Sequence, residues 1–262
     1  MTSSDNDDAG RTSRGIQSVE VGGQLLKVLA QTGSAMALKD LAREAGMSAA
    51  KAHPYLVSFG KLGLIERDEL SGHYGLGPLA VQLGLISLQQ VDPVRLAIAE
   101  LPHLAQAVGC TVSAAVWGVT GPVIVRVEEG PGTVHVSMRH GMPASLRHTG
   151  TGKIFAAFAD PRVVSDALAA SGMKAVLKDA AFAAELAQIR QDGISVVQDE
   201  LLAGISAMAV PVFDGFGKLV LAIAAMGPSA LMDLSVRGPL AQRLRDAGSR
   251  LSARLGYMPA KA

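Results

Sequence analysis

The chain has 262 residues, of which 49% are hydrophobic and 18% are charged, and its formal net charge at pH 7 is +1. This composition excludes a disordered protein, and the length accommodates one domain of about 75 residues and another of about 170. The single cysteine, Cys110, excludes an intramolecular disulfide bond and a cysteine-rich zinc site.

The N-terminal region differs in charge from the rest of the chain. Residues 1–13 are polar and acidic, so we expect a disordered tail rather than a signal peptide. Residues 11–67 contain eight Lys or Arg and four Asp or Glu, whereas residues 68–262 contain 16 of each kind. This distribution favours a nucleic-acid contact in the N-terminal part, although a solvated basic face explains it equally well. No apolar run reaches the roughly 18 residues of a membrane span, and a cytoplasmic location is predicted.

Three helices and two strands are predicted in the basic region. The first helix ends near Thr32, the second covers residues 38–45, and the third runs from Ser48 to about Gly60. The two strands cover about 64–67 and 73–76. Ser48 is a good helix N-cap, and Gly46 in the preceding turn accepts the positive φ that ends a helix. This spacing is typical of a helix-turn-helix, and the two strands are typical of a wing. Residues 14–77 are therefore predicted to form a winged helix-turn-helix domain that binds DNA.

The third helix of such a domain lies in the major groove. Its exposed side chains are predicted to contact bases, while basic residues around it reach the phosphates of double-stranded DNA. The predicted DNA-binding residues are Arg14, Lys39, Ser48, Ala49, Lys51, His53, Tyr55, Arg67 and His73. For Lys51 and His53, an ordinary solvated helix face is the alternative interpretation.

A helical pattern follows from Leu79 to Val108. We interpret it as a linker helix over residues 78–91 and the first helix of a second domain, with Pro93 and Pro102 near helix starts. The predicted strands are TVSAAVWG, PVIVRVEE, TVHVSMR, GISVVQ, SAMAVPVFD and KLVLAIAAM, with helices expected near residues 152–158, 161–170, 181–191 and 236–255. Six strands with segregated helices predict an α+β domain over residues 92–258, whose last two strands form a hairpin.

The order of these features resembles the IclR family of bacterial transcription regulators over nearly the whole chain. Three segments carry the resemblance, SGHYGLGPLAVQLG, RHGMPASLRHTGTGKIFAAF and DGISVVQDELLAGISAMAVPVFDGFGKLVLAIAAMGP, the last with Glu200 and Gly204. Pro54 departs from the family, whose members usually carry a basic or polar residue there. Because proline lacks an amide donor and clashes with the preceding turn, the third helix is expected to begin later or to be kinked.

The resemblance implies a C-terminal GAF-like domain with one effector pocket, walled by a helix start and floored by strand residues. The implied effector-binding residues are Thr133, Met138, Gly150, Thr151, Val197, Ala207, Ala224 and Met226. A helix N-terminus at 151–153 offers free amides to a carboxylate, and the apolar strand positions favour an aromatic or other carboxylic acid or a related compound. Simple packing of the core is the alternative for each strand position.

The resemblance also implies a repressor of a catabolic operon, and often a homotetramer. A homodimer through the first helix and the linker is expected, because a symmetric pair of recognition helices reads a roughly palindromic operator better than one helix does. Two other classes remain open: a sensor that acts only through protein contacts, and an enzyme-like domain whose helical N-terminus does not bind DNA. Against an enzyme, RHTGTGKIF lacks the glycine and the hydroxyl residue of a phosphate-binding loop, and Cys110 has no basic neighbour. No catalytic residue, cofactor or metal site is predicted.

Overall fold

The computed structural model describes residues 15–132, 136 and 138–259. The chain folds as two compact units, one ending at Val91 and the other beginning at Asp92. The first contains α1 (Gln17–Thr32), α2 (Leu38–Glu44), α3 (Ala49–Lys61), β1 (Ile65–Arg67), β2 (Tyr74–Leu76) and α4 (Pro78–Gln90). The second contains α5 (Pro93–Val108), β3 (Thr111–Gly118), β4 (Gly121–Glu128), α6 (Gly150–Phe158), α7 (Pro161–Ala170), α8 (Ala180–Asp192), β5 (Ser195–Gln198), β6 (Ile205–Phe213), β7 (Leu219–Pro228) and α9 (Pro239–Arg254), with short 3₁₀ helices at Lys174–Lys178 and Ser229–Leu231.

A small apolar core holds α1, α2 and α3 together. Leu25, Leu41 and Leu56, one from each helix, are buried there, as the helical spacing of apolar residues predicts. The strands β1 and β2 pair in antiparallel fashion. Ile65 and Tyr74, one from each strand, join the same core and so attach the strand pair to the helices.

The helix α3 passes through Pro54. Its N-cap is Ser48, whose Oγ accepts a hydrogen bond from the Lys51 amide at 3.3 Å, as predicted. Because α3 starts directly after Ser48, the expected later start of the helix is wrong. Pro54 is exposed, and its nitrogen has no hydrogen to donate to the Ala50 carbonyl. The helix therefore lacks one internal hydrogen bond on its solvent side.

The second unit is built on an antiparallel sheet with strand order β4-β3-β7-β6-β5. Successive residues of a strand face opposite sides of a sheet, and two glycines identify the helix on each side. Gly150 of α6 lies next to Ala209 of β6, whereas Gly248 of α9 lies next to Val210. The helices α6 and α9 therefore cover opposite faces, and α5 packs beside α9.

The predicted α+β class, with a helix-turn-helix part followed by a sheet-based part, is confirmed. Five of the six predicted strands and their hairpin are present. The remaining one, TVHVSMR, falls largely on residues 133–135 and 137, and these, like the tail at 1–13, lie outside the described residues. The prediction that Pro102 lies near a helix start is wrong, because Pro102 is inside α5. Buried Leu101 and Leu104 on either side keep that helix packed.

Within the described ranges, no helix has both the length and the apolar character that a membrane span requires.

Candidate functional site

Five of the side chains predicted to bind DNA are exposed on the first unit. They are Lys39 at the start of α2, Ser48, Lys51 and His53 at and in α3, and Arg67 in β1. In the described part of the chain, Lys39 and Lys51 form no ion pair, whereas Arg43 pairs with Asp40 at 2.8 Å. Lys39 and Lys51 therefore keep their charges available to an external anion.

Three of the other predicted contacts are only half-exposed. Ala49 and Tyr55 pack against the core of the first unit, and the Tyr55 ring lies close against Gly22 of α1. His73 is half-buried at the start of the second wing strand. Tyr55 thus serves the packing of α3 on α1, a role that its place among the buried helix positions indicates. Arg14 lies outside the described residues.

The turn of the wing is held by Asp68. Its Oδ1 accepts hydrogen bonds from the Ser71 amide at 2.6 Å, the Ser71 hydroxyl at 2.7 Å and the Leu70 amide at 3.1 Å. These bonds, the Ser71 amide first, hold the pKa of Asp68 below its ordinary value. Arg67 donates to the Gly72 carbonyl at 3.2 Å, so its guanidinium is positioned by the turn.

A cavity of about 200 Å³ lies in the second unit, between α6 and the sheet. Seven of the eight residues predicted to bind an effector line it: Met138, Gly150, Thr151, Val197, Ala207, Ala224 and Met226. The eighth, Thr133, lies outside the described residues. The structure therefore brings residues from five separate parts of the sequence into one cavity.

The cavity floor consists of Val197, Ala207, Ala224 and Met226. Val197 lies opposite Ala207 across β5 and β6, and Ala207 lies opposite Met226 across β6 and β7. Directly opposed residues of antiparallel strands point to the same side of a sheet, so these side chains form one continuous surface. All are apolar, and the floor offers a ligand no charged group.

The first turn of α6 supplies backbone donors at one end of the cavity. The N-cap Thr149 accepts a hydrogen bond from the Gly152 amide through its Oγ1 at 3.0 Å, and its carbonyl accepts one from the Lys153 amide at 2.9 Å. The amides of Gly150 and Thr151 have no acceptor among the described residues. The prediction that the free amides belong to residues 151–153 is therefore corrected to Gly150 and Thr151, which we call the amide end.

Lys153 plays a part that sequence reasoning missed. Its side chain is 0% exposed, and its Nζ lies 2.5 Å from Glu185 Oε1 and 2.6 Å from Glu200 Oε1. Glu200 directly precedes Leu201 and Leu202, two exposed side chains at the edge of the cavity. Lys153 thus ties α6 to α8 and to the loop that edges the cavity. The sequence feature that could have revealed this role is a lysine that directly begins the otherwise apolar segment KIFAAF.

The cavity has further lining residues that were not predicted. Ile124 lies in β4, Ile205 and Ser206 begin β6, and Val136 lies in the segment TVHVSMR. The others lie in segments without a helical or strand pattern, so no spacing rule identifies them from the sequence. They are Met142, Pro143, Ala144, His148, Thr149, Leu201 and Leu202.

Cys110 does not have the surroundings of a reactive thiol. Burial raises its pKa, and a hydrogen bond from the Met226 amide offsets only part of that effect. A thiol with a raised pKa carries little thiolate at neutral pH. Across the part of the chain that the structure describes, no group of three or more His, Cys, Asp or Glu is placed to hold a metal ion.

Two family models match the chain. The IclR helix-turn-helix domain matches residues 18–69, which include α1, α2, α3 and β1. The model described as bacterial transcriptional regulator IclR C-terminal matches residues 86–253, which include the cavity.

Individual proteins match over nearly the same length. The glycerol operon regulatory protein of Streptomyces coelicolor is 28% identical over 250 residues, 93% of this chain and 98% of the relative. The transcriptional repressor IclR of Escherichia coli is 26% identical over 220 residues, 81% of this chain and 80% of the relative. The crystal structure of Pseudomonas aeruginosa HmgR has a TM-score of 0.84 at 34% identity, covering 92% of this chain and 99% of that one.

Proposed function

Because the chain belongs to the IclR family of DNA-binding transcriptional regulators, which are not enzymes, we propose that it is a repressor of a catabolic operon controlled by a small carboxylic acid. Residues 14–77 are the DNA-binding domain, 78–91 the linker helix and 92–258 the effector domain, and the protein acts in the cytoplasm. The observation that carries the effector part is the cavity that joins the amide end to the apolar floor.

The DNA-binding part rests on α3 and its surroundings. Lys39 and Lys51 are exposed cations without an ion pair in the described chain, and His53, in the same helix as Lys51, is also exposed. Cations that neutralise phosphates release counterions, so each such contact adds to the salt dependence of binding. We assign base contacts to Ser48, Lys51 and His53 and phosphate contacts to Lys39 and Arg67.

The effector part rests on two properties of the cavity. Two free amides at a helix N-terminus attract a carboxylate, and the floor of Val197, Ala207, Ala224 and Met226 attracts an apolar or aromatic body. A volume of about 200 Å³ is below the roughly 300–1,000 Å³ of sites for larger ligands. The effector is therefore a small acid rather than a nucleotide-sized cofactor.

Oligomerisation is part of the proposal. None of the residues of α4 is buried, and five large apolar side chains of this helix are exposed: Val81, Leu83, Leu85, Ile86 and Leu88. Ile16 and Val19, just before and within α1, are also exposed. Clusters of exposed apolar side chains mark interaction sites, and we assign these to a homodimer that presents two α3 helices to a palindromic operator. A tetramer is a dimer of such dimers.

We infer repression rather than activation from the names of the relatives. The Escherichia coli relative is named a transcriptional repressor, and the Streptomyces coelicolor relative is named for the glycerol operon. We therefore propose repression of an operon for the breakdown of a carbon source, relieved when the effector changes the population of DNA-binding arrangements.

The test is a titration of the full chain onto the DNA upstream of its own gene and of the divergent neighbour, at two salt concentrations, with and without aromatic and aliphatic acids. We expect salt-sensitive binding that one acid alters. The Lys51→Ala variant should bind at least several-fold more weakly with a shallower salt dependence, whereas Lys61→Ala, an exposed lysine at the end of the same helix, should bind as the wild type does.

Two results would contradict the proposal in different ways. Absence of specific binding to any fragment, with an acid still raising the melting temperature, would make the protein a sensor that acts without an operator. Specific DNA binding that none of the acids changes would remove the effector class and leave the DNA-binding role standing.

A further inference from the structure

The centre of the exposed face of α3 is apolar. Ala50, Pro54 and Val57 recur at positions i, i+4 and i+7 of this helix, a spacing that places them on one face. All three are exposed, Val57 to 45%, whereas Ala52 and Leu56 are buried in the core of the first unit. These three residues, which we call the apolar row, therefore point away from the core.

The polar groups of α3 lie beside the apolar row and not in it. Because successive residues of a helix are about 100° apart, Lys51 lies on one side of the row and His53 on the other. Ser58 is also exposed beside the row, but its hydroxyl donates to the Pro54 carbonyl at 3.0 Å. The row itself offers no side-chain donor or acceptor, so it cannot recognise a partner through side-chain hydrogen bonds.

An apolar row beside exposed cations fits a partner that combines negative charge with apolar groups. Lys39 and Lys51 are such cations, since neither forms an ion pair in the described part of the chain. Phosphates border the major groove of DNA, and the C5-methyl of thymine is the apolar group that base edges present there. The IclR helix-turn-helix match includes α3, and the corresponding helix of such domains enters the major groove.

We propose that Ala50, Pro54 and Val57 contact thymine methyl groups and thereby recognise A·T pairs in each half of the operator. This inference rests on the proposed function, because it takes α3 as the helix that reads DNA. The ring of Pro54 adds apolar surface without a hydrogen-bonding group. Its departure from the basic or polar residue usual in the family therefore changes what the helix reads, while Lys39 and Lys51 still bind phosphates or bases.

The experiment removes single methyl groups from the DNA. Footprinting first defines the operator within the DNA upstream of the gene. The full chain is then titrated, at one salt concentration, onto this operator and onto copies in which one thymine at a time is replaced by deoxyuridine. This replacement keeps every hydrogen-bonding group of the base pair. At one or more thymines in each half-site, we expect binding to weaken about four-fold, the effect of one buried carbon.

Two variants assign the sensitive thymines to the apolar row. Val57→Ala and Pro54→Ala should each bind the unmodified operator several-fold more weakly, and each should lose the sensitivity to deoxyuridine at one or more positions. Because both side chains are exposed, and alanine is the better helix former, both variants should melt at or above the wild-type temperature. Weaker binding would then reflect recognition and not folding.

The matched control is Val163→Ala, which makes the same change at a valine that is 40% exposed on α7 of the second unit. This variant should keep the affinity of the wild type and its full pattern of sensitive thymines. Loss of that pattern in Val163→Ala would contradict the assignment to α3.

The other outcomes decide against the inference. If deoxyuridine weakens binding at no position, or if both α3 variants keep the wild-type pattern, the row reads no methyl group, and the DNA-binding role remains. If the wild type does not bind the unmodified DNA specifically, the inference is overturned together with the proposed DNA-binding function.

Discussion

Lys153 carries a charge in a place that water does not reach. Its ammonium contacts Glu185 and Glu200, whose side chains are 31% and 32% exposed. Removing an ammonium from water costs several kcal/mol, and well-placed carboxylates offset that cost. The stability of the second unit therefore depends on both carboxylates staying in position, and with them the loop that edges the cavity.

We predict that Lys153→Met lowers the free energy of unfolding by about 2 kcal/mol, because methionine fills the space but leaves Glu185 and Glu200 with only their longer contacts to Arg147, at 3.4 and 4.0 Å. Urea unfolding of the full chain measures the change. Lys174→Met, which replaces an exposed lysine without an ion pair in the described chain, should stay within about 0.5 kcal/mol of the wild type. A Lys153→Met variant as stable as the wild type would contradict this account.

Residues of the candidate site were predictable where the family resemblance pointed to them. The floor positions and the amide end were identified in this way, and the cavity contains them. The partners of Lys153 were not predictable, because they lie 32 and 47 positions away in the sequence.

At the scale of elements, the packing of α1 on α3 depends on one glycine. A Cβ atom on Gly22 would lie 2.8 Å from the Tyr55 ring and 3.0 Å from the Phe59 ring, whereas a Cβ on its neighbour Gly23 would have no atom within 4 Å. Two adjacent glycines of one helix thus stand in opposite surroundings, one at a close helix crossing and one in open space.

We predict opposite effects for alanine at these two positions. Gly22→Ala should destabilise the first unit by about 2 kcal/mol, because the aromatic rings must move. Gly23→Ala should stabilise it by up to about 1 kcal/mol, because alanine favours the helix and nothing opposes its methyl group. Thermal unfolding followed by circular dichroism measures both. If the two variants shift the melting temperature in the same direction, the close packing of Tyr55 on Gly22 does not hold in solution.

Regular elements were predictable because their apolar residues follow a period. The strand β3 covers the predicted residues 111–118, and α7 covers the predicted residues 161–170. The errors concern proline: α3 does not begin later because of Pro54, and Pro102 lies inside α5. Buried Leu56 packs α3, and buried Leu101 and Leu104 pack α5, a tertiary effect that is absent from local propensity.

At the scale of the whole molecule, the proposed dimer depends on α4. Val81, Leu85 and Leu88 recur at the spacing of one helix face, and all three are exposed. Leu83 and Ile86 are exposed on the other side of the same helix. The helix therefore offers apolar side chains on both sides within 13 residues.

We predict that Leu85→Arg shifts the protein from dimer to monomer and weakens operator binding by at least ten-fold, because two half-sites are then no longer bound together. Thr120→Arg adds the same charge at an exposed turn outside α4 and should leave both properties unchanged. Sedimentation equilibrium measures the mass, and the DNA titration measures the affinity. A Leu85→Arg protein that keeps the mass of the wild type would exclude this helix face from the interface.

The first turn of α6 constrains how such a protein acquires a new ligand. Thr149 caps the helix, a Cβ on Gly152 would lie 1.9 Å from the Ser145 carbonyl oxygen, and Lys153 is committed to its two carboxylates. Each of these positions already meets a requirement of folding, so mutation there removes the fold before it alters recognition. The side chains of the cavity floor, by contrast, are apolar and form no hydrogen bond or ion pair that the fold requires. If the cavity is the effector site, as we propose, evolutionary change of effector should therefore accumulate on the strands.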